Sequence, residues 1–103
     1  MSIPSPSAPR NDDFWTAYRA AIGDDLDTFR VIVEGGSVDF TREYSFGDLS
    51  LISEGDQIRA EVMEAMHAHV SRLDFLAAIA LDYNSAAVVQ YCLEKGAKRE
   101  VFE

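Results

Sequence analysis

Only one cysteine, Cys92, occurs in the 103 residues. That excludes an intrachain disulfide and leaves too few thiols for a zinc cluster. Cys92 lies in the apolar run VVQYCL, where a buried, inert thiol is expected rather than a nucleophile. Lack of disulfides suits a reducing compartment, so a cytoplasmic location is expected. Proline is confined to Pro4, Pro6 and Pro9, so no proline interrupts a helix from Asn11 onward. Residues 1–10, MSIPSPSAPR, read as a flexible, extended tail, and residues 11–103 as one domain. The tail lacks the apolar core and early basic cluster of a signal peptide. No apolar run approaches a membrane span. Basic residues are also scarce, 9 against 18 acidic, for a net charge of -9. Such a charge serves solubility and repels phosphate and anionic lipid. Neither nucleic acid nor a membrane is an expected partner; a basic protein surface is.

Catalytic signatures are missing too. There is no Ser and His set with a carboxylate, no glycine-rich phosphate loop after a strand and no nucleophile elbow. The pair His67 and His69, in HAH, points to different faces of a helix and cannot share a metal undistorted. Histidine near a helix end suits the dipole and exposed carbonyls instead. Asp24, Asp25 and Asp27, in GDDLD, run straight into a helical pattern without the further oxygen ligands of a calcium loop. They read as caps. No catalytic residue, metal or cofactor is expected, and the protein is read as non-enzymatic.

What the sequence does hold is helical periodicity and an apolar fraction of 48%, enough for a packed core. NDDFWTAYRAAIG offers Asn11 or Asp12 as a cap and repeats Phe14, Trp15, Tyr18 and Ile22 at helical spacing. After Gly23, Asp24 or Asp25 caps a second helix whose buried stripe is Leu26, Phe29, Ile32 and Val33, closed by Gly35 and Gly36. RLDFLAAIALDYN repeats the first pattern, with Asp74 as cap and Leu73, Leu76, Ile79 and Ala80 on one face. SAAVVQYCLEKG repeats the second, starting at Ser85, burying Val88, Val89, Cys92 and Leu93, and ending at Gly96. The two copies register at a spacing of 60, placing Ala20 over Ala80, Asp24 over Asn84, Val33 over Leu93 and Gly36 over Gly96. A middle copy falls between them: SFGDLSLISEGD, a turn at Gly55 and Asp56, then QIRAEVMEAMHAHV. The stripe of this last helix is Ile58, Val62, Met66 and Val70, with Met63 beside it. The period is about thirty residues.

The stretches AAIGDDLDTFRVIVEGGSVDF and AIALDYNSAAVVQYCLEKGAKRE resemble ankyrin repeats. Each has a first helix ending in small residues, a tight turn, a second helix of VVxxLLxxG type and a glycine-led exit. The resemblance spans residues 12–100, strongly in the first and third copies and weakly in the second. It departs from the family in lacking the Thr-Pro-Leu-His opening, whose places hold WTAY, SFGD and FLAA, and in a period below the usual 33 or so. The second copy also has no room for the customary long hairpin loop. The expected fold is all-α, a short ankyrin-like solenoid of about three helical hairpins. A rival is an α+β domain with a β-hairpin at about 38–52, where VDF and LSLI alternate. A generic bundle of helical hairpins is a third.

The resemblance implies a solenoid that binds another protein through its finger loops and first-helix face. With the acidity, this suggests a small inhibitor or neutraliser of a larger, basic-surfaced partner, of immunity or anti-defence type. The residues expected at that surface are Asp39, Glu43 and Tyr44 in the one long junction, and Asp82 and Tyr83 in the turn before Ser85. Trp15, Phe29 and Phe75 are expected in the core. A second reading is a homo-oligomeric scaffold, in which a homodimer buries the stack's open end through Val101 and Phe102. An enzyme, either cryptic or dependent on an unseen cofactor, is the third.

Overall fold

The structure, a computed structural model, describes residues 11–35, 38–44, 50, 52–67 and 69–102. These fall into helices α1 (Asn11–Gly23), α2 (Leu26–Gly35), α3 (Glu54–Met66), α4 (Arg72–Asp82), α5 (Ala86–Glu94) and α6 (Arg99–Phe102). Among the described residues there is no strand; the one bridge joins Glu43 to Ser71. The all-α expectation holds at this level. The tail at 1–10, the expected closing glycine Gly36 and the side chains of Asn11 and Asp12 lie outside the described residues.

Two hairpins carry the fold, and the 60-residue register is physical. Asp24 and Asn84 both take left-handed backbone, with φ of 55° and 61°, a conformation Asn and Asp tolerate better than most residues. The following amides close matching bonds: Asp25 N–H to Ala20 C=O at 2.9 Å, and Ser85 N–H to Ala80 C=O at 2.7 Å. These bonds turn α1 into α2 and α4 into α5 with almost no linker. Asp25 then caps α2, accepting the Thr28 amide at 3.2 Å. In the second hairpin the cap comes from the neighbour. Asp24 reaches across to accept the Val88 amide at 3.2 Å, while the Ser85 hydroxyl donates to Ile22 C=O at 3.2 Å. The turns thus lace the hairpins together by satisfying helix-end groups that burial would otherwise strand.

Between the turns, α1 packs on α4 and α2 on α5. Phe14 stacks on Phe75 with ring centres 6.4 Å apart, and Phe29 meets the edge of Tyr91 at 5.9 Å. Ala17, Ala21, Ala77, Ala78 and Ala80 are buried and let the helices approach closely. Helix α4 is the centre of the molecule: every residue from Leu73 to Ala80 is buried. Its N-terminus corrects one expectation. Ser71, not Asp74, is the cap, and Asp74 completes a reciprocal pair with it, each accepting the other's amide. Asp74 also accepts the Lys98 amide at 2.8 Å, which ties the exit after Gly96 to α4. Gly96 has the expected left-handed cap geometry, φ 111°. Trp15 departs from its expected core place: it is 38% exposed, with the Arg19 guanidinium 4.9 Å over its ring.

The middle copy does not stack between the other two. The first and last hairpins touch directly, and residues 54–66 form a single helix laid against α4. Gly55 and Asp56 are not a turn between helices but the first turn of α3, whose cap is Ser53 accepting the Asp56 amide at 3.3 Å. Among the described residues the architecture is two stacked hairpins with α3 docked on α4, and the first half of the middle copy, at 45–49 and 51, lies outside them. The β-hairpin alternative finds no support in the described part of 38–52. Glu43 bridges to Ser71, far along the chain, and 40–41 is a turn; 45–49 and 51 lie outside the described residues. The end of the stack is closed internally. Helix α6 packs on α4 and buries Val101 and Phe102, so the pair expected at a homodimer interface belongs to the core of one chain.

Candidate functional site

Helix α3 is capped by Ser53 and held at three points along its inner face. Near its start, Asp56 is buried and accepts from Tyr18 Oη at 2.5 Å, Ser53 Oγ at 3.1 Å and Tyr83 Oη at 3.3 Å. One turn on, Arg59 Nε pairs with Asp82 at 2.9 Å and Arg59 Nη2 donates to Phe102 C=O at 2.9 Å. At mid-helix, Ala60 and Met63 are buried, and Ala60 C=O accepts from Tyr44 Oη at 3.1 Å. The inner face is thus small and polar as much as apolar.

The opposite face is the apolar one. Ile58, Val62 and Met66 are 59%, 46% and 72% exposed. At spacings of four they make one stripe along a helix of 13 residues, about 20 Å long. The stripe expected in the core therefore points to solvent, and its presumed bystander Met63 is the buried residue. Only Val70, which follows the helix, is buried as expected. Glu54 and Glu61 lie along one edge of the stripe, seven residues apart. Both are exposed, and neither has an ion pair among the described residues. Three large apolar side chains in a row, rimmed by carboxylates, are a feature that packing among the described residues does not explain.

The five residues expected at a binding surface divide. Asp82 and Tyr83 sit at the C-terminal end of α4, beside the start of α3. Tyr83 is 44% exposed, and the partial burial of its ring, followed by Asp56 facing its hydroxyl, raises its pKa. Asp39 and Glu43 are exposed at the other end of α4. Asp39 accepts the Thr41 hydroxyl and amide, and the hydroxyl is the main cause that holds its carboxyl below the ordinary range. Glu43 meets His69 Nδ1 at 2.7 Å. Tyr44 is not at the surface: it is buried, tilted against Phe75 at 5.2 Å, and burial followed by Glu64 raises its pKa. It is a core residue that anchors α3. The two surface groups are separated by the length of α4, about 16 Å. Helix α3 runs between them.

Among the described residues no three His, Cys, Asp or Glu side chains group as a metal site, and His67 and His69 are not brought onto one ligand position. Cys92 is buried, and its surroundings, with Asp74 a lesser cause, push the thiol up to about 12. Shallow grooves flank α5, one of about 320 Å³ lined by Leu81, Val89 and Leu93. Among the described residues no helix is long and apolar enough to cross a membrane. The chain matches no protein-family model, no curated protein and no solved structure.

Proposed function

We propose that this protein is a non-enzymatic interaction module, a small acidic binder that inhibits or neutralises a larger partner with a basic surface. The observation that supports this most strongly is the outward stripe of Ile58, Val62 and Met66 on a chain of net charge -9. Apolar side chains exposed in a row cost solubility unless something covers them. The charge favours a cationic cover and speeds its arrival. Asp82 and Tyr83 at one end of α3 and Glu43 at the other extend the same surface as a polar rim. The ankyrin resemblance supports the same reading, with two laced hairpins as its strongest copies, and an immunity or anti-defence role fits it. A homo-oligomeric scaffold is the second reading. The stripe favours it, whereas the like charge of two copies opposes it.

The test is a double variant, Ile58→Asp with Met66→Asp. Both positions are exposed, so helix content and thermal stability should stay unchanged. Retention of a specific partner from host extract should be lost, and sedimentation of the wild type should show a monomer. A dimer that the double variant dissociates would replace this reading with the scaffold. Partner retention indifferent to both substitutions would place the surface elsewhere.

A further inference from the structure

We infer that the outer face of α3 takes a single amphipathic helix of another protein, whose apolar stripe is bordered by lysine or arginine on the edge that meets Glu54 and Glu61. The inference rests on the interaction-module reading and names the element recognised.

The shape argues for a helix. The exposed stripe is one residue wide and three residues long, about 12 Å from Ile58 to Met66, and the surface reaches about 18 Å with Glu54 included. A sheet edge or a broad surface would leave most of itself uncovered on so narrow a ridge. A helix of three to four turns matches it in length and offers its own row of apolar side chains at the same spacing. The backbone of α3 is already bonded internally, so side chains alone must carry recognition.

The charges argue for a basic edge. At 100° per residue, Glu54 and Glu61 fall on one side of the stripe, two turns apart. Arg59 falls on the other side, where Asp82 and Phe102 C=O already hold it. Among the described residues no cation pairs with the acidic edge, whereas the basic edge is held by Asp82 and Phe102. A partner helix with lysine or arginine seven residues apart would pair with both carboxylates at once.

Two other occupants fit worse. A second copy related by a twofold axis would set the acidic edges against one another when α3 packs antiparallel on itself. Packed parallel, it would meet the occupied Arg59, and either way two chains of net charge -9 approach. A bilayer surface is anionic and would be repelled by the same carboxylates.

Two synthetic helical peptides of four turns provide the test. Both carry leucine at stripe spacing, one with lysines and one with glutamates seven residues apart on one edge. Binding to the whole chain is followed by amide chemical shifts and by fluorescence anisotropy at low and moderate salt. The lysine-edged peptide should bind at least about tenfold more tightly at low salt, with the ratio shrinking as salt rises. Its shifts should centre on 54–66. Ile58→Asp should weaken it roughly thirtyfold or more, as for an anchor residue. Glu61→Lys should reverse the preference between the peptides while leaving the helix signal intact. Absence of binding by either peptide, equal binding by both, or shifts centred away from α3 would overturn the inference. So would binding of the chain to anionic vesicles that Ile58→Asp abolishes. Loss of the host partner in the Ile58→Asp, Met66→Asp variant would still leave the interaction module standing, so the two readings fail separately.

Discussion

Two methionines three residues apart on α3 should behave in opposite ways. Met63 is 1% exposed and Met66 is 72% exposed. Removing a buried methionine side chain forfeits a transfer term of about 1.5–3 kcal/mol, and the cavity raises large-to-small losses to about 2–5 kcal/mol. Met63 lies on the buried face of α3, a helix docked on α4 beside the hairpin stack. A docked arm can open locally, which limits what any one of its contacts adds to global stability. Met63→Ala should therefore fall in the lower part of that range, about 2–3 kcal/mol. Met66→Ala should stay within about 0.5 kcal/mol of the parent, as exposed substitutions do. Urea unfolding followed by helix circular dichroism measures both, and amide hydrogen exchange over 57–66 shows whether Met63→Ala loosens the arm first. Equal losses, or a larger loss at Met66, would mean that α3 is rotated about its axis relative to this account. The outward stripe would then be a buried one.

All four tyrosines have raised pKa values, chiefly through burial, with Asp56 adding to Tyr18 and Tyr83, Glu64 to Tyr44 and Glu34 to Tyr91. A raised folded value means that their contribution is complete below the ordinary value of 10.0 and is lost as pH rises through the folded values. The tyrosinate absorbance should lag behind pH 10 and rise together with loss of helix; half-ionised tyrosine at pH 10 in a fully helical protein would contradict this. Cys92, buried with its thiol pushed up to about 12, should resist thiol reagents near neutral pH until denaturant is added, and prompt labelling of the native chain would refute its placement. Phe102→Asp should unfold the domain rather than split a dimer, because Phe102 is 1% exposed within one chain; a folded variant with unchanged stability would count against α6 as an internal closure.

The hairpins were legible because local rules dominate them. Asp24 and Asn84 stand where a left-handed residue must end a helix, and the spacing of 60 follows from two equal turns that face one another. Helix α3 was visible as a helix, but its orientation was not. Its hydrophobic periodicity selects Ile58, Val62 and Met66, and the inner face is chosen instead by long-range polar partners. Tyr18 and Tyr83 close on Asp56, and Asp82 closes on Arg59, across 38, 27 and 23 residues. No local pattern announces such pairings. The same blindness misplaced Tyr44, which reads as a loop aromatic and becomes a core residue because the chain folds back to set it between Phe75 and Ala60. The turn expected at Gly55 and Asp56 follows from a spacing of thirty without the turn chemistry of the outer copies: Gly55 carries no left-handed turn, and Ser53 starts a helix there. Asp39, Glu43, Asp82 and Tyr83 are exposed, as turn and junction positions suggest, yet periodicity alone assigns the stripe between them to the interior.

The central claim is that another protein covers the outer face of α3. A photoreactive benzophenone side chain placed at Val62, with a control at exposed Gln90 on α5, tests it inside the host cell. The account predicts a discrete covalent adduct with a different, basic protein from position 62 and none from position 90. Adducts from Gln90 alone, from both positions equally, or only with a second copy of this chain would contradict it.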